Sequence, residues 1–416
     1  MKKIYVSESV NSITFYANSV TIIADKTIEK NNAGISFILF NICNGINDVS
    51  EIAKKISEQF YINTSLDEII EKILVSTMTD EELGEIVTCD ISRANLFPNT
   101  SGVFGMRYPK LVHIELTNIC NFKCTHCYKN ALSEGAFMDL SSLERYIYAP
   151  LKGIVPIIHF TGGEPTLHKH FEKIVHMFQN GFLLQLTTNG SRIKSYPVEI
   201  FECFQAIDIS LYGLSSKEYG ENTGHPEAFE FVKENCCSLH ERKIDYRITT
   251  VLNKHNMYNM ENYIRFAIEV GASSVSFSLP MQSGRAMSTL DNKWNLTPED
   301  RRYIYRSFRE LQIKYHDEIH IKEWYRSNYS NMWKFYPLDD SLRCGAGKND
   351  WWISEKFRCR PCSFLPPQYI DLEYESWIRY IAGQEEIDWA AARNSLEHFA
   401  VNNKFSITDI CPIFKK

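Results

Sequence analysis

The chain predicts an α/β protein: a partial (β/α)6 barrel, preceded by a winged-helix-like domain and followed by a small cysteine-bearing domain. Three observations predict it. Between residues 108 and 290, six short β-rich runs (Val112–Leu116, Val155–Phe160, Leu183–Leu186, Ile207–Leu211, Ile248–Val251 and Val275–Leu279) alternate with amphipathic helical stretches, the pattern of parallel strands joined by crossover helices. Residues 1–95 instead place short alternating segments before helical ones. Residues 344–416 are irregular, aromatic and cysteine-bearing. A chain of 416 residues, 44% hydrophobic and 23% charged with 19 Gly and 14 Pro, excludes collagenous, low-complexity and wholly disordered classes.

In the N-terminal domain, residues 1–95, the segments around Ile4–Val6, Ile13–Phe15 and Val20–Ile23 suit short strands. Gly45 ends the apolar segment Phe37, Leu39, Phe40, Ile42. Asp48 with Glu51, and Ser65 with Glu68, form capping boxes. They open helices whose apolar positions are Val49, Ile52, Ala53, Ile56 and Phe60, then Leu66, Ile69, Ile70, Ile73 and Leu74. The domain carries eight Lys or Arg against fourteen Asp or Glu, the wrong sign for phosphate binding. No nucleic-acid partner is expected. The start of the chain lacks a signal-peptide core, and no run of about 18 apolar residues follows. A cytoplasmic protein with no membrane partner is therefore expected, and its twelve cysteines read first as metal or redox ligands.

The barrel domain, residues 108–290, should carry its chemistry where loops leave the C-terminal strand ends. The loop after the first run reads Leu116-Thr117-Asn118-Ile119-Cys120-Asn121-Phe122-Lys123-Cys124-Thr125-His126-Cys127. Three thiolates this close wrap one face of a metal site, and their softness favours iron–sulfur or zinc. Zinc would need a fourth ligand, His126 or a distant residue. After the second run stands Thr161-Gly162-Gly163-Glu164-Pro165. Its glycines permit close backbone approach, and Glu164 is expected as an unpaired carboxylate pointing into the barrel mouth.

A bridging helical region, residues 291–343, contains a helix started by Thr297-Pro298 and carrying Ile304, Phe308, Leu311 and Tyr315. Residues 344–416 hold Cys344, Cys359, Cys362 and Cys411, with a hairpin around Trp351, Trp352 and Ile353. Four such thiolates suit an iron–sulfur cluster or zinc. Cys43, Cys89, Cys203, Cys236 and Cys237 lack such spacing and read as buried small apolar residues.

The cysteine loop after strand one, with Gly-Gly-Glu-Pro after strand two, resembles the radical S-adenosylmethionine (SAM) family over residues 108–290. The resemblance implies that Cys120, Cys124 and Cys127 hold three irons of a 4Fe-4S cluster. SAM takes the fourth iron, and its reductive cleavage yields a deoxyadenosyl radical. It also places His126 beside the adenine and gives Gly162, Gly163 and Glu164 the methionine amino group. Asn189 and Ser210 match positions that touch the ribose. The segment Ser210-Leu211-Tyr212-Gly213 through Thr223-Gly224 resembles a subfamily pattern that more often carries Asp and Arg where Tyr212 and Thr223 stand.

The C-terminal cysteines resemble the SPASM/twitch-type extension of radical SAM peptide modifiers, in a shortened form with one auxiliary iron–sulfur cluster. Glu355-Lys356 replaces the usual Asp-Gly of its hairpin turn. Leu39 to Ile73, with Gly45, Glu51-Ile52-Ala53 and Phe60-Tyr61, resembles the element that binds leader peptides of ribosomally made, post-translationally modified peptides. That implies docking near Val20–Ile23 and the helix Leu66–Leu74.

Together these resemblances imply an enzyme that binds a precursor peptide by its leader and installs an intramolecular crosslink in the core, a thioether favoured over a carbon–carbon bond. A low-potential electron donor such as flavodoxin or ferredoxin would serve it. The alternatives are a maturase of the anaerobic sulfatase activator type and an iron–sulfur DNA-binding redox sensor. The Gly-Gly-Glu segment argues against the sensor, which needs no partner for a SAM amino group. Tyr128, His159, Arg285 and the Trp351-Trp352 pair are candidate liners of a substrate channel.

Overall fold

The computed structural model describes residues 111–280, 284–288, 292–322 and 350–360, and in the N-terminal part 3–10, 12–16, 19–24, 27–30, 33–43, 46–60, 64–79, 87–94 and 99–101. The chain forms two compact units, one built mainly on residues up to 110 and the other from residue 111 onward.

In the first unit, β1 (Tyr5–Val6) pairs antiparallel with β5 (Val87–Thr88). A second sheet joins β2 (Ser12–Tyr16), β3 (Ser19–Ile23), β4 (Thr27–Lys30) and β6 (Asn99–Ser101) in the order β4-β3-β2-β6. Helices α1 (Ala33–Cys43), α2 (Val49–Phe60) and α3 (Leu66–Thr79) follow as expected. Asp48 caps α2, its Oδ1 accepting from Ser50 N at 2.9 Å, and Ser65 Oγ accepts from Glu68 N at 3.3 Å to open α3. Ile4, just before β1, and Val6, Ile13, Val20 and Ile22 from the strands share a buried core with Leu39, Ile52, Ile56, Ile69 and Ile73 from the helices.

The docking expected near Val20–Ile23 is narrowed here. Val20–Ile23 lies in β3, which is paired on both sides by β2 and β4, so its backbone groups are spent and cannot receive a leader strand. Among the described residues, the open edge of that sheet beside β3 is β4.

The second unit carries a sheet in the order β13-β12-β11-β10-β9-β8-β7-β14-β15. The six expected strands are β7 (Leu111–Glu115), β8 (Ile157–Thr161), β9 (Leu183–Thr188), β10 (Phe204–Ser210), β11 (Arg247–Val251) and β12 (Ser274–Ser278), all parallel neighbours in sequence order. Each side-chain alternation sorts the faces. Val112, Ile114, Ile158, Phe160, Leu184, Leu186, Ile207, Ile209, Ile248 and Val275 are buried. They face an outer layer that includes helices Phe171–Phe178, Ala228–Glu241 and Met260–Glu269. The other face of the strands is polar and half-buried: His159, Gln185, Thr187, Asp208, Ser210, Arg247, Thr249 and Ser276. The sheet is open rather than closed, compatible with a partial barrel.

Three strands extend it. β13 (His320–Ile321) adds parallel to β12, and β14 (Asp350–Ile353) adds parallel to β7, with β15 (Cys359–Arg360) antiparallel beyond it. The hairpin around Trp351–Ile353 is thus present, and it prolongs the barrel sheet. Its reversal uses Phe357 at φ 59°, with Ser354 N donating to Arg358 O at 2.8 Å. The helix Pro298–Lys314 begins with a full capping box between Thr297 and Asp300 and buries Ile304, Phe308 and Leu311.

Candidate active site

Where β7 ends, the chain turns into the cysteine loop and is fixed from three sides. The first is the Gly-Gly-Glu loop after β8. Gly163 N donates to Thr117 O at 2.7 Å and Glu164 N to Ile119 O at 2.8 Å. A Cβ on Gly162, which sits at φ +129°, would lie 2.3 Å from Thr117 O, and one on Gly163 would lie 2.1 Å from Ile119 O. The glycines are therefore required by a backbone-to-backbone seam with the cysteine loop.

The second side is the helix Ser216–Thr223, whose C-terminal carbonyls at Asn222 and Thr223 accept from Thr125 N and Lys123 N at 2.9 and 3.0 Å. Thr223 thus helps to seat the loop through its backbone. The third is Arg285. Its Nε donates to Cys124 O at 2.8 Å and its guanidinium to Ala131 O at 2.6 Å, while its backbone N donates to Cys127 O at 2.9 Å. Arg285, expected in a substrate channel, clamps the loop's outward carbonyls.

The three thiols lie close enough to feel one another electrostatically. Cys124 is buried and Cys120 and Cys127 are half-buried. Burial pushes the Cys120 thiol up to about 12, with the Glu164 carboxylate adding to the effect. Burial also holds Cys124 well above its ordinary value. Burial thus favours the protonated form of the Cys120 and Cys124 thiols, and a metal centre bound there would release their protons. Phe122 N donates to Cys120 Sγ at 3.4 Å and Ala131 N to Cys127 Sγ at 3.5 Å. Among the described residues no three Cys, His, Asp or Glu side chains converge on one ion position. Thiols that each take a separate iron of a cluster need not do so.

Glu164 departs from expectation. It is fully buried, and its carboxylate is saturated rather than unpaired. Oε1 accepts from Thr166 N at 3.1 Å, Thr166 Oγ1 at 2.5 Å and Thr188 Oγ1 at 2.7 Å, and Oε2 from Asn189 N at 2.7 Å. Burial raises its pKa while these donors oppose the rise, Asn189 N foremost. Glu164 also caps the short turn Pro165–Leu167. The side chain ties the end of β8 to the end of β9. Sequence spacing could not show this, because the donors come from two loops.

Asn189, expected with Ser210 at a ribose, turns toward the cysteine loop. Asn189 Nδ2 donates to Asn121 Oδ1 at 2.9 Å and lies 3.9 Å from Cys120 Sγ. Ser210 is half-buried at the inward end of β10. His126 stands with its ring centroid 4.4 Å from that of Trp294 and 5.5 Å from that of Tyr212. Burial drives its pKa down to about 3, helped by Lys293 and Arg285, so it is a neutral aromatic wall.

The sequence reading missed a buried ion cluster beside this loop. Glu115, at the end of β7, is fully buried with Lys129 and Arg360 on the same carboxylate oxygen, Arg360 at 3.2 Å. It joins the cysteine loop to β15, where Cys359 is also buried. The available signal was an acidic residue at an inward position of an apolar strand. Cys344, Cys362 and Cys411 lie outside the described residues. Of the cysteines expected to be buried, Cys236 is, Cys43, Cys203 and Cys237 are half-buried, and Cys89 is exposed.

Deeper on the inward face, His113 stacks on Trp352 with centroids 3.8 Å apart at 6° and lies 4.8 Å from His159. His159 Nε2 is 2.7 Å from Thr187 Oγ1. Arg247 and Asp208 form an ion pair at 2.5 Å. Trp351 is buried, so of that tryptophan pair Trp352 is the one stacked on an inward-facing side chain.

Residues 114–267 match the model of the Radical SAM superfamily. An AdoMet-dependent heme synthase of Methanosarcina barkeri is 24% identical over 62% of this chain and 78% of that protein. The antilisterial bacteriocin subtilosin biosynthesis protein AlbA of Bacillus subtilis is 23% identical over 65% of this chain, which spans 58% of that relative's length. The chain spans about half the length of two further heme synthases, 47% and 51%. The crystal structure of Streptococcus suis SuiB bound to S-adenosylmethionine superposes with a TM-score of 0.61 at 17% identity, covering 90% of this chain and 88% of that one. SuiB bound to its precursor peptide SuiA gives 0.61 at 15% identity, covering 92% and 87%.

Proposed function

We propose that this chain, whose residues 114–267 match the Radical SAM superfamily, is an enzyme that uses a 4Fe-4S cluster and SAM to modify a ribosomal precursor peptide, holding the leader on its N-terminal unit and crosslinking the core at the barrel mouth. The observation that carries this reading is the backbone seam between the cysteine loop and Gly162-Gly163-Glu164, which brings three thiols and the Gly-Gly-Glu segment to neighbouring strand ends.

Cys120, Cys124 and Cys127 hold the cluster. With Glu164 saturated by its own loops, the methionine ammonium is received by the backbone of Gly162 and Gly163, and His126 with Trp294 walls the adenine. When bound, the cluster and SAM supply a deoxyadenosyl radical that removes one hydrogen atom from the core peptide. The protein's part is to orient that C–H bond and keep water out. Thr187, Asp208, Ser210, Arg247 and Thr249 offer hydrogen bonds along the inward face for a peptide's amide groups and side chains, and neutral His159 lies among them. The leader adds as a strand to β4. Cys344, Cys359, Cys362 and Cys411 would hold an auxiliary iron–sulfur group, which would accept the one electron released when a core cysteine thiolate closes a thioether. The likeness of the fold to SuiB in complex with SuiA supports a peptide substrate.

The test is anaerobic reconstitution with iron and sulfide counting, scoring deoxyadenosine release, for wild type, a Cys120/Cys124/Cys127 triple Ala variant and a Cys344/Cys362 double Ala variant. The reading requires each variant to lose one cluster and the triple variant alone to lose SAM cleavage. Zinc at the C-terminal cysteines would reduce that region to a structural clasp. Incubation with a short peptide encoded beside the gene should remove two hydrogens and one alkylatable thiol. Two hydrogens lost with the thiol count intact would mean a carbon–carbon bond instead.

A further inference from the structure

We propose that the exposed stretch of the cysteine loop, marked by Lys123 and Arg192, is the surface on which a small acidic electron-carrier protein docks to pass one electron to the cluster. The inference rests on the assignment of Cys120, Cys124 and Cys127 as cluster ligands and deepens it by naming where the reductant meets the chain.

The loop is held from inside the fold by the Gly162-Gly163-Glu164 seam, the end of the helix Ser216–Thr223 and Arg285. Within residues 120–127, Asn121 and Lys123 alone are exposed. Both lie between the first two cysteines, so another protein comes nearest to the thiols here. Asn121 connects this stretch inward. Its Oδ1 accepts from Asn189 Nδ2 at 2.9 Å, and that nitrogen lies 3.9 Å from Cys120 Sγ. Outward, Asn121 Nδ2 donates to Ser191 Oγ at 2.9 Å, which sets the exposed Arg192 beside the loop.

This rim is basic on a chain whose net charge is −6. Lys123 and Arg192 are exposed, and neither meets a carboxylate among the described residues. Around them, Lys194 is paired with Glu234 at 3.1 Å. His225, stacked on Phe122 with centroids 5.5 Å apart, lies 2.9 Å from Glu227. The first of these pairs cancels, and the surplus stays positive even with a neutral His225. A positive patch on a negative protein steers an acidic partner to itself and turns it to face the patch, while the remaining surface repels it. The step is a simple transfer: the reduced carrier loses one electron, the cluster gains it, and no bond forms or breaks. Electron transfer weakens steeply with distance, so docking at the exposed stretch favours it.

The experiment measures flavodoxin binding by titration calorimetry at low and high salt. It also measures deoxyadenosine release driven by reduced flavodoxin and by titanium(III) citrate. The proteins are reconstituted wild type, Lys123→Glu with Arg192→Glu, Arg192→Glu alone, and Arg242→Glu. Arg242 is exposed between the helix Ala228–Glu241 and β11, at the opposite end of the strands, and controls for net charge. The double variant should keep its iron, its sulfide and its titanium-driven rate, yet bind flavodoxin at least about tenfold more weakly at low salt. Its flavodoxin-driven rate should fall in step. Arg192→Glu should shift the same way by less, Arg242→Glu should not shift, and high salt should close the gap between wild type and double variant. A double variant that binds flavodoxin and takes its electrons as wild type does overturns the proposal, as does an equal loss in Arg242→Glu. Should the double variant shed its iron, Arg192→Glu decides, and an unshifted affinity there rejects the surface. A wild type driven by titanium(III) citrate but by neither flavodoxin nor a ferredoxin overturns the docking proposal and leaves the proposed function standing. No SAM cleavage even with titanium(III) citrate overturns the proposed function, and this inference with it.

Discussion

The two walls of the barrel are built on different principles. At the ends of β7 and β8 the polar groups are mostly buried against one another, although Glu115 Oε1 and Arg360 Nε make no hydrogen bond. Glu164 accepts four hydrogen bonds, Gly162 and Gly163 abut the carbonyls of Thr117 and Ile119, and Glu115 is matched by Lys129 and Arg360. Across the sheet, at β10 to β12, polar side chains stand half-buried on the inward face. Asp208 and Arg247 retain 17% and 19% of their side-chain exposure. The first wall has one geometry to keep and the second has surface to offer. A cofactor of fixed shape suits the former, and a substrate that must enter and leave suits the latter.

That contrast predicts that equal-sized changes will cost unequally. Gly163→Ala should have the largest effect. Its Cβ would meet Ile119 O at 2.1 Å, a backbone clash that no rotamer relieves, so at least about 3 kcal/mol and the cluster's iron should be lost together. Urea unfolding with iron counting checks this; a stable, iron-replete variant would show that the seam is loose.

Glu115→Gln comes next. It keeps the shape but leaves Lys129 and Arg360 buried without their countercharge, at a cost of about 3 kcal/mol. Arg360→Met paired with it should recover part of the loss, and no recovery would mean that the carboxylate acts alone.

His159 tests the boundary between the walls. Burial lowers its pKa from 6.5 to about 4. The unfolded chain therefore takes up the proton first as pH falls, and stability contributed above pH 6.5 is lost progressively toward pH 4, on the order of 3 kcal/mol in full. His159→Gln should flatten that part of the stability profile. Ser276→Ala should do least. It removes a 3.0 Å contact with Thr249 Oγ1 on the half-buried face, worth under about 1 kcal/mol in denaturant unfolding, while substrate affinity measured by isotope-labelled peptide binding should fall. A stability loss as large as that of Glu115→Gln would erase the distinction between the walls.

Local patterns made much of this legible. Alternation over five to seven residues located β7 to β12 because one face of each strand packs on helices. The helix caps at Asp48, Ser65 and Thr297 are contacts within three residues and were read directly. The cysteine loop and the Gly-Gly-Glu segment were legible as a pair because each follows a strand end.

What the sequence could not express is who meets whom across distance. Glu164 looked unpaired because its donors Thr188 and Asn189 lie 24 and 25 residues away. Arg285 looked like a channel residue because the carbonyls it clamps lie 154 and 161 residues earlier. Docking near Val20–Ile23 could not be assigned to one strand, because only pairing reveals that β4 lies beyond β3.

By itself, then, the sequence determined the elements, the two-part order of strands and helices, and the chemical identity of the thiol and Gly-Gly-Glu segments, all of which rest on neighbours within a few positions. Tertiary structure alone decided that Glu115 meets Arg360 over 245 residues, that the C-terminal hairpin prolongs the barrel sheet, and that Glu164 meets Thr188 and Asn189. These depend on strand order and burial. Burial is what makes an unmatched charge or donor costly, and so it selects partners that no local spacing encodes.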